Sequence, residues 1–506
     1  MFVRKKPNRS GSVSVQVVDK SNGYRVVKTM GSARDPEDLR RLVELGKLFI
    51  ARRSKQYSLF PADQRDSAAI LDFVQTLQNA SIRTVGPELI FGRLFDEIGF
   101  GAIPEQLFRD MVIARLVYPT SKLKTADYLY RYRGKTVSVQ SIYRFLDRLH
   151  EQHSQQAQEV AYRHSRKILR RIQVVFYDMT SLYLEAEDED DLRKIGFSKD
   201  GKFQNPQILL GLLVGQHGYP IGYDIFEGNT FEGKTLLPVL KGIQERYGFG
   251  KPVVVADAAM LRKDNLDELE GERYSFIVAA RIRNESQAMQ DEILRCCAGL
   301  RDGECIEIQH EKGRRLIVAY SDKRARKDAH NRQRGLDKLR KRVGSGRLNK
   351  EYLNNRGYNK FLKLTGEVVV AIDESKVQQA ASWDGLKGYL TNTDLPPTDI
   401  IANYGQLWHV EKAFRISKTD LRIRPMYHRR RRRIEAHVLV AFVAYTIHKE
   451  LERRLKIAKL PFSPQRAAEL TQTMYELTFY LPNDPESRRT LLQMDDDQQR
   501  LYDLFV

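Results

Sequence analysis

IQVVFYDMT (172–180), PQILLGLLVG (206–215), PIGYDIFEG (220–228), TLLPVLKGIQERYG (235–248) and PVVVADAAM (252–260) follow one another along the chain. The first and last are short apolar runs of β-branched and aromatic residues that close on one aspartate each, Asp178 and Asp257. Such runs read as strands covered on both faces. The two middle runs are joined by the turn QHGYP and read as an antiparallel hairpin. The fourth stretch reads as a helix, so the order is strand with Asp, strand, strand, helix, strand with Asp. A carboxylate within a buried strand is costly unless paired. At the carboxyl mouth of a strand it reaches solvent, which is where open α/β sheets bind ligands. Two carboxylates on neighbouring strands repel, and a divalent cation relieves this by taking both as hard oxygen ligands. Ordinary ion pairs of each aspartate with Lys or Arg are the plain alternative.

A third acid lies in NYGQLWHVEKAFRISK (403–418), which reads as one helix. Tyr404, Glu411 and Lys418 are spaced by seven residues, nearly two turns, and so would share a face. Arg415, four residues past Glu411, joins that face. The helix would present a carboxylate beside a phenol, a guanidinium and an ammonium. The acid suits a metal, and the cations and hydroxyl suit phosphate. An exposed Glu in helix salt bridges is the alternative.

Together these residues resemble the bacterial insertion-sequence transposases of the DDE class, in the branch with a β-rich insertion and a Tyr-Arg-Glu-Lys signature. Tyr404, Glu411 and Lys418 match that signature, while Leu407 stands where its arginine is expected, and Arg415 on the next turn is the nearest substitute. YDMTSLY (177–183), EGNTFEGKTL (227–236), VVVADAAM (253–260), DGLKGYLTNT (384–393) and RIRPMYH (422–428) also resemble the family, over roughly 165–450. The resemblance implies an RNase H-like core interrupted by the insertion. In it Asp178, Asp257 and Glu411 are the catalytic acids and hold two divalent ions, Mg²⁺ or Mn²⁺. It further implies hydrolysis at the element's ends followed by attack of each 3′-OH on target DNA, without a covalent enzyme intermediate. The implied partners are double-stranded DNA, as terminal inverted repeats and target, and a second copy of the chain in a synaptic homodimer. No nucleotide cofactor and no membrane are expected. A tryptophan in the insertion supports a hairpin intermediate in related enzymes, which makes Trp383 a candidate DNA contact. Core packing is the expectation weighed more heavily for both Trp383 and Trp408.

GNTFEGKT (228–235) also fits the phosphate-loop pattern G-x-x-x-x-G-K-[ST], through Gly228, Gly233, Lys234 and Thr235. A nucleotide-hydrolysing protein acting on DNA is therefore an alternative, with Asp257 as its magnesium aspartate. Three features oppose it. The preceding run carries Asp224 and Glu227, Glu232 would face the phosphates, and the run is one arm of a hairpin. A non-catalytic DNA-binding derivative of a transposase, or a structure-selective nuclease on the same core, would fit these residues as well. Lys234 is also a candidate DNA contact. So are Arg429 and Arg430, which begin the five-arginine run 429–433, and the basic stretch from Asp322 to Lys350 with its Lys323, Arg324 and Arg347. Solvated surface is the plain reading of both, and phosphate tracking the functional one.

The rest of the chain frames this core. Its 506 residues call for several domains, and 85 Lys and Arg against 65 Asp and Glu leave +20, which points to a polyanionic partner. The longest apolar stretch, 438–447, is half a bilayer span. The basic start lacks a secretory h-region, and Cys296, Cys297 and Cys305 have neither disulfide nor zinc spacing. A cytoplasmic, nucleoid-associated bacterial location is expected. The fold class expected is a multidomain α+β/α chain in six parts. Residues 1–75 form an N-terminal β hairpin, turning at Asn22-Gly23, plus a helix. Residues 76–165 form a helical DNA-binding region, in which KTADYLYRYRGKTVSVQSIYRFLDRLH (124–150) resembles a helix-turn-helix. Lys122, Lys124, Arg131, Arg133, Lys135, Gln140 and Arg144 would be its exposed residues. Residues 166–270 form the first part of the core and 271–400 the β-rich insertion with a basic helical segment. Residues 401–455 form the second part of the core, and 456–506 a C-terminal helical tail.

Overall fold

The computed structural model describes residues 1–8, 11–21, 23–53, 74, 77, 81–186, 188–198, 201–257, 263–344, 357–365, 369–480 and 486–505. Asn22 of the expected turn, the AAM of the second aspartate motif, and Arg347 and Lys350 lie outside them. The chain divides into two compact units, residues 1–82 with 477–490 and residues 83–476 with 491–506. In the first unit the hairpin expected from residues 13 to 33 forms, as strands Val13–Asp19 and Arg25–Ala33. A third strand, Phe2–Pro7, adds to it, where the charges of FVRKKP had masked the pattern. A register shift between Val17 and Val18 turns both inward, as an irregularity in the ladder permits. The helix Pro36–Arg53 packs on this sheet.

The second unit opens with a helical region, Arg93–Ile98, Gln106–Val117, Lys122–Arg133, Val139–Arg148 and Ser154–Leu169. Ser121 and Ser138 each accept a backbone N–H at a helix start, and Gly134 closes Lys122–Arg133 at φ +65°. The basic faces expected of this hairpin are partly turned inward. Lys122 is only 6% exposed, and its Nζ lies 3.1 Å from His437 Nδ1. Arg133 donates to the Thr84 carbonyl and to Glu88, and Lys135 pairs with buried Asp110. Lys124, Arg131, Gln140 and Arg144 do face solvent.

The centre of this unit is one eight-stranded sheet. Its strands are β1 Val174–Tyr183, β2 Gln207–Val214, β3 Pro220–Glu227, β4 Val253–Ala256, β5 Ser275–Ala280, β6 Cys305–Gln309, β7 Arg315–Tyr320 and β8 Leu386–Thr391. They lie in the order β6-β7-β8-β5-β4-β1-β2-β3. β1, β2 and β3 are antiparallel to their neighbours in that series, and β4 and β5 run parallel to β1. β2, QILLGLLV, is buried along its whole length, as a strand covered on both faces must be. Beyond β5 the same sheet is extended by β8, β7 and β6, in that order, rather than these three building a sheet of their own. Between β7 and β8 come the helix Asp322–Gly344, a hairpin of Leu362–Thr365 and Val369–Ile372, and the helix Glu374–Ala381.

Two short helices, Pro397–Gly405 and Trp408–Arg415, follow β8 and pack on the sheet, the first against β4 and β5, the second against β1 and β2. The long helix Arg431–Ile457 is buried through most of its length. No helix among the described residues is long and apolar enough to cross a membrane. The last part of the chain is not wholly helical: besides Pro464–Thr471 and Asp496–Asp503 it contains strands Tyr475–Tyr480 and Ser487–Leu491. The aromatic and β-branched run YELTFY explains the first of these strands.

Candidate functional site

The register of the sheet sets the two aspartates side by side. Tyr177 of β1 is level with Ala256 of β4, so Asp178 and Asp257 follow at one level. The row continues through β5 and β8, because Ala256 is level with Val278 and Ala279 with Tyr389. Residues level on adjacent strands share a face. Phe176 and Val255, two residues before each aspartate, pack in the core that contains Val410 and Phe414 of the helix Trp408–Arg415. Tyr177 and Ala256 lie in the core of the opposite face. Asp178 and Asp257 therefore stand on the face that this helix covers. Asp178 does not end its strand, as the sequence pattern implied; β1 runs on to Tyr183. It is the parallel neighbour β4 that stops, at Ala256, and opens the edge there. Asp178 is half-buried, its Oδ1 accepting the Met179 N–H at 2.7 Å, and Asp257 is exposed.

Glu411 lies on the helix that packs against β1, is exposed, and forms no ion pair with Arg415 among the described residues. The single helix expected over 403–418 is broken. Gln406 and Leu407 donate three residues back, to Asn403 and Tyr404, and the turn between Gly405 and Trp408 re-aims the chain. Tyr404 thus ends one helix while Glu411 sits in the next, and Lys418 lies in a wider turn, Ile416–Asp420. The seven-residue spacing does not make these three one helical stripe. Tyr404 nonetheless feels both Asp257 and Glu411. Burial raises its hydroxyl pKa well above the ordinary range, and Asp257, Tyr389 and Glu411 add to the shift. Leu407, 8% exposed, packs in the same core, so the position where the signature has arginine faces inward here. Arg415 is exposed.

Three groups that sequence reasoning had not placed at the site converge on it. Lys387 of β8 sets its ammonium 4.2 Å from the Tyr404 ring centre and 5.2 Å from that of Tyr389, and it feels Asp257 electrostatically. Arg324, from the basic helix Asp322–Gly344, acts on Tyr404, Tyr389 and Lys387. The available signal was the alternation of Lys387 and Tyr389 within an otherwise buried strand, LKGYLT. The TNT that follows is structural: Asn392 accepts the Phe276 N–H and donates to the Tyr274 carbonyl, and Thr391 donates to the Phe276 carbonyl.

Trp383 is 4% exposed inside the opposite core, in the packing role. Trp408, for which packing was also expected, is 50% exposed, with Lys412 over its ring. Of the arginine run, Arg432 and Arg433 pair with Asp147, Arg432 also with Glu151, and Arg431 with Glu435, while Arg429 and Arg430 stay exposed. Lys234 is exposed, but the loop around it is no phosphate cradle. β3 is an antiparallel edge strand. Thr235 is fully buried, its hydroxyl donating to the Glu232 carbonyl and accepting from Tyr177. A hydroxyl so engaged is not available to a nucleotide-bound ion.

The model of the family described as transposase DDE domain matches residues 169–447, more than half of the chain. No curated protein matches the chain. Among solved structures, one titled as a cryo-EM structure of piggyBac transposase synaptic complex with hairpin DNA is 9% identical over 76% of each chain, at a TM-score of 0.38.

Proposed function

The chain belongs to the transposase DDE domain family, and from that premise we propose that it cuts and joins DNA, binding the terminal inverted repeats of an insertion sequence, hydrolysing the DNA at those ends and joining the 3′-OH ends to target DNA. The observation that carries this reading is the level placement of Asp178 on β1 and Asp257 just past the end of its parallel neighbour β4, on the face covered by the helix of Glu411. The order β3-β2-β1-β4-β5 supports an RNase H-like core. On this reading its first part runs on through Ala280, since β5 completes that order, and the segment from 281 to about 396 is the insertion.

An all-carboxylate donor set suits a hard divalent ion, Mg²⁺ or Mn²⁺, and Asp178, Asp257 and Glu411 would hold two. When bound, such ions neutralise charge and acidify water at an in-line displacement on phosphorus. Among the described residues no three Asp, Glu, His or Cys side chains are grouped as a metal cage, so the proposal requires the three acids to draw together on loading. Tyr404 remains protonated at any working pH, given the upward shift of its hydroxyl, and is a hydrogen-bond donor for phosphate. Arg415, Lys418, Arg429 and Arg430 supply positive charge to the DNA backbone. Two ends must be held at once and one site serves each, which favours a homodimer in the synaptic complex.

The test uses labelled DNA bearing the ends that flank the gene, Mg²⁺ or Mn²⁺, and the wild type beside Asp178→Asn, Asp257→Asn and Glu411→Gln. End-specific nicks and joined products are expected from the wild type and from none of the variants, with rates at least about 10³-fold apart, the scale lost when groups acting as one catalytic unit are removed. Cleavage that persists in the variants removes these acids from the mechanism. Cleavage without joining would favour the structure-selective nuclease.

A further inference from the structure

Lys387 is a charged residue in a half-buried setting on a strand of the sheet. No hydrogen bond or ion pair from its ammonium is found among the described residues. Two tyrosine rings hold it instead, Tyr404 at 4.2 Å and Tyr389 at 5.2 Å from their centres, contacts that fix a cation without neutralising it. Tyr389 stands in the same lateral row as Asp178 and Asp257, and Lys387, two residues along β8, shares its face. Half-burial of an unneutralised ammonium is unfavourable by itself, and here burial and nearby Arg324 both disfavour the charge while Asp257 favours it. A phosphate placed at the acids would supply the missing counter-charge. Position 407, where the family signature has arginine, points into the core and cannot do this work.

Resting on the reading of the site given above, we propose that Lys387, held between Tyr389 and Tyr404, grips a DNA phosphate next to the one being cut. Arg324, whose charge Lys387 feels, would reinforce it. The ammonium would act as a point charge on a phosphate oxygen.

The experiment compares wild type, Lys387→Met and Lys387→Arg on end DNA, with a neutral methylphosphonate placed in turn at each phosphate flanking the scissile one. Lys387→Met is expected to keep the melting temperature and to slow nicking at least about 30-fold, with Lys387→Arg restoring part of the rate. At one flanking position the methylphosphonate should slow the wild type about as much, and Lys387→Met no further. A merely structural lysine would leave that phosphate penalty intact in the variant, and such a result overturns the proposal. In the DNA-free protein, Mn²⁺ titrated by electron paramagnetic resonance should bind Lys387→Met several-fold more tightly, because the ammonium facing Asp257 is gone. Unchanged Mn²⁺ affinity would place Lys387 away from the acids and overturn it too. If Asp178→Asn and Glu411→Gln still cut, the reading of the site has failed. If they are inactive and Lys387→Met cuts normally, only the role of Lys387 has failed.

Discussion

A Cβ on Gly228 would come within 2.1 Å of the Gln207 carbonyl oxygen and 2.3 Å of that of Lys194. Both are backbone atoms of the pairing beside β2, and neither can yield without breaking it. The glycine that opens GNTFEGKT is thus required by packing, and the lysine near its end is exposed. Gly228→Ala is expected to cost about 2–4 kcal/mol, the range of severe overpacking. Lys234→Ala should stay within about 0.5 kcal/mol, as surface changes do. Denaturant unfolding of the two variants measures both. A nucleotide-binding loop would give the reverse pattern in function: ATP turnover in the wild type that vanishes with the lysine. The same dependence on neighbours explains why Leu407 does not expose a gap in the site. Its side chain packs in the core beside the turn between two helices, and Lys387, which feels Asp257, comes from elsewhere in the chain.

At the scale of elements, the arginine run at the head of the helix Arg431–Ile457 splits by partner. Arg433 makes two 2.8 Å bonds to Asp147 of the helix Val139–Arg148, whereas Arg429 and Arg430 precede the helix and face solvent. Replacing Arg429 and Arg430 together by Gln should leave the melting temperature unchanged and weaken duplex binding. If each arginine neutralises one phosphate, the slope of log affinity against log salt should fall by about 1.8. Arg433→Gln should leave that slope alone and lower stability by about 1–2 kcal/mol, because Asp147 loses a bidentate partner. Anisotropy titrations at four salt concentrations, with thermal melts beside them, separate the two groups. Local sequence could not make this division, since Asp147 is far away in the chain. The exposed face expected of the helical hairpin is divided for the same reason: Lys122, Arg133 and Lys135 are engaged by His437, Glu88 and Asp110, while Lys124, Arg131, Gln140 and Arg144 face solvent. The strands that carry the two aspartates were legible because an apolar run that meets one acid is a local signal. The stripe through Glu411 was not legible, because the period of seven runs unbroken across a turn that only the backbone reveals.

Taken over the whole second unit, burial of histidines should make the fold labile to acid. Burial holds His428 down to about 3, with Lys122, Arg115 and Arg433 adding to it and Asp147 opposing. Burial likewise holds His409 and His448 down to about 4, with Lys449 and Lys412 adding and Glu452 opposing. His437, fully buried beside Lys122, lies well below its ordinary value. In the unfolded chain these imidazoles titrate near 6.5. The folded values are depressed, so between about pH 6.5 and 4 the unfolded state binds more protons. Their contribution to stability is therefore fully present above 6.5 and is lost as the pH falls, by up to about 1.4 kcal/mol per pH unit for each of the buried His428, His437 and His448, and by less for half-buried His409. Glu450 and Glu452 are also depressed, despite burial, by Arg453, Arg454 and His164 in the first case and by Lys449 and Lys412 in the second. Their stabilisation is present above the ordinary carboxylate range and is lost below it, in the same direction. The melting temperature should be highest at pH 7 to 8, fall from 6.5 to 5, and fall more steeply below 4.5. His428→Asn should make the upper part of that descent shallower by about one proton's worth, 1.4 kcal/mol per unit. A melting temperature that is flat between pH 7 and 5 would mean that these histidines are not buried as the structure places them.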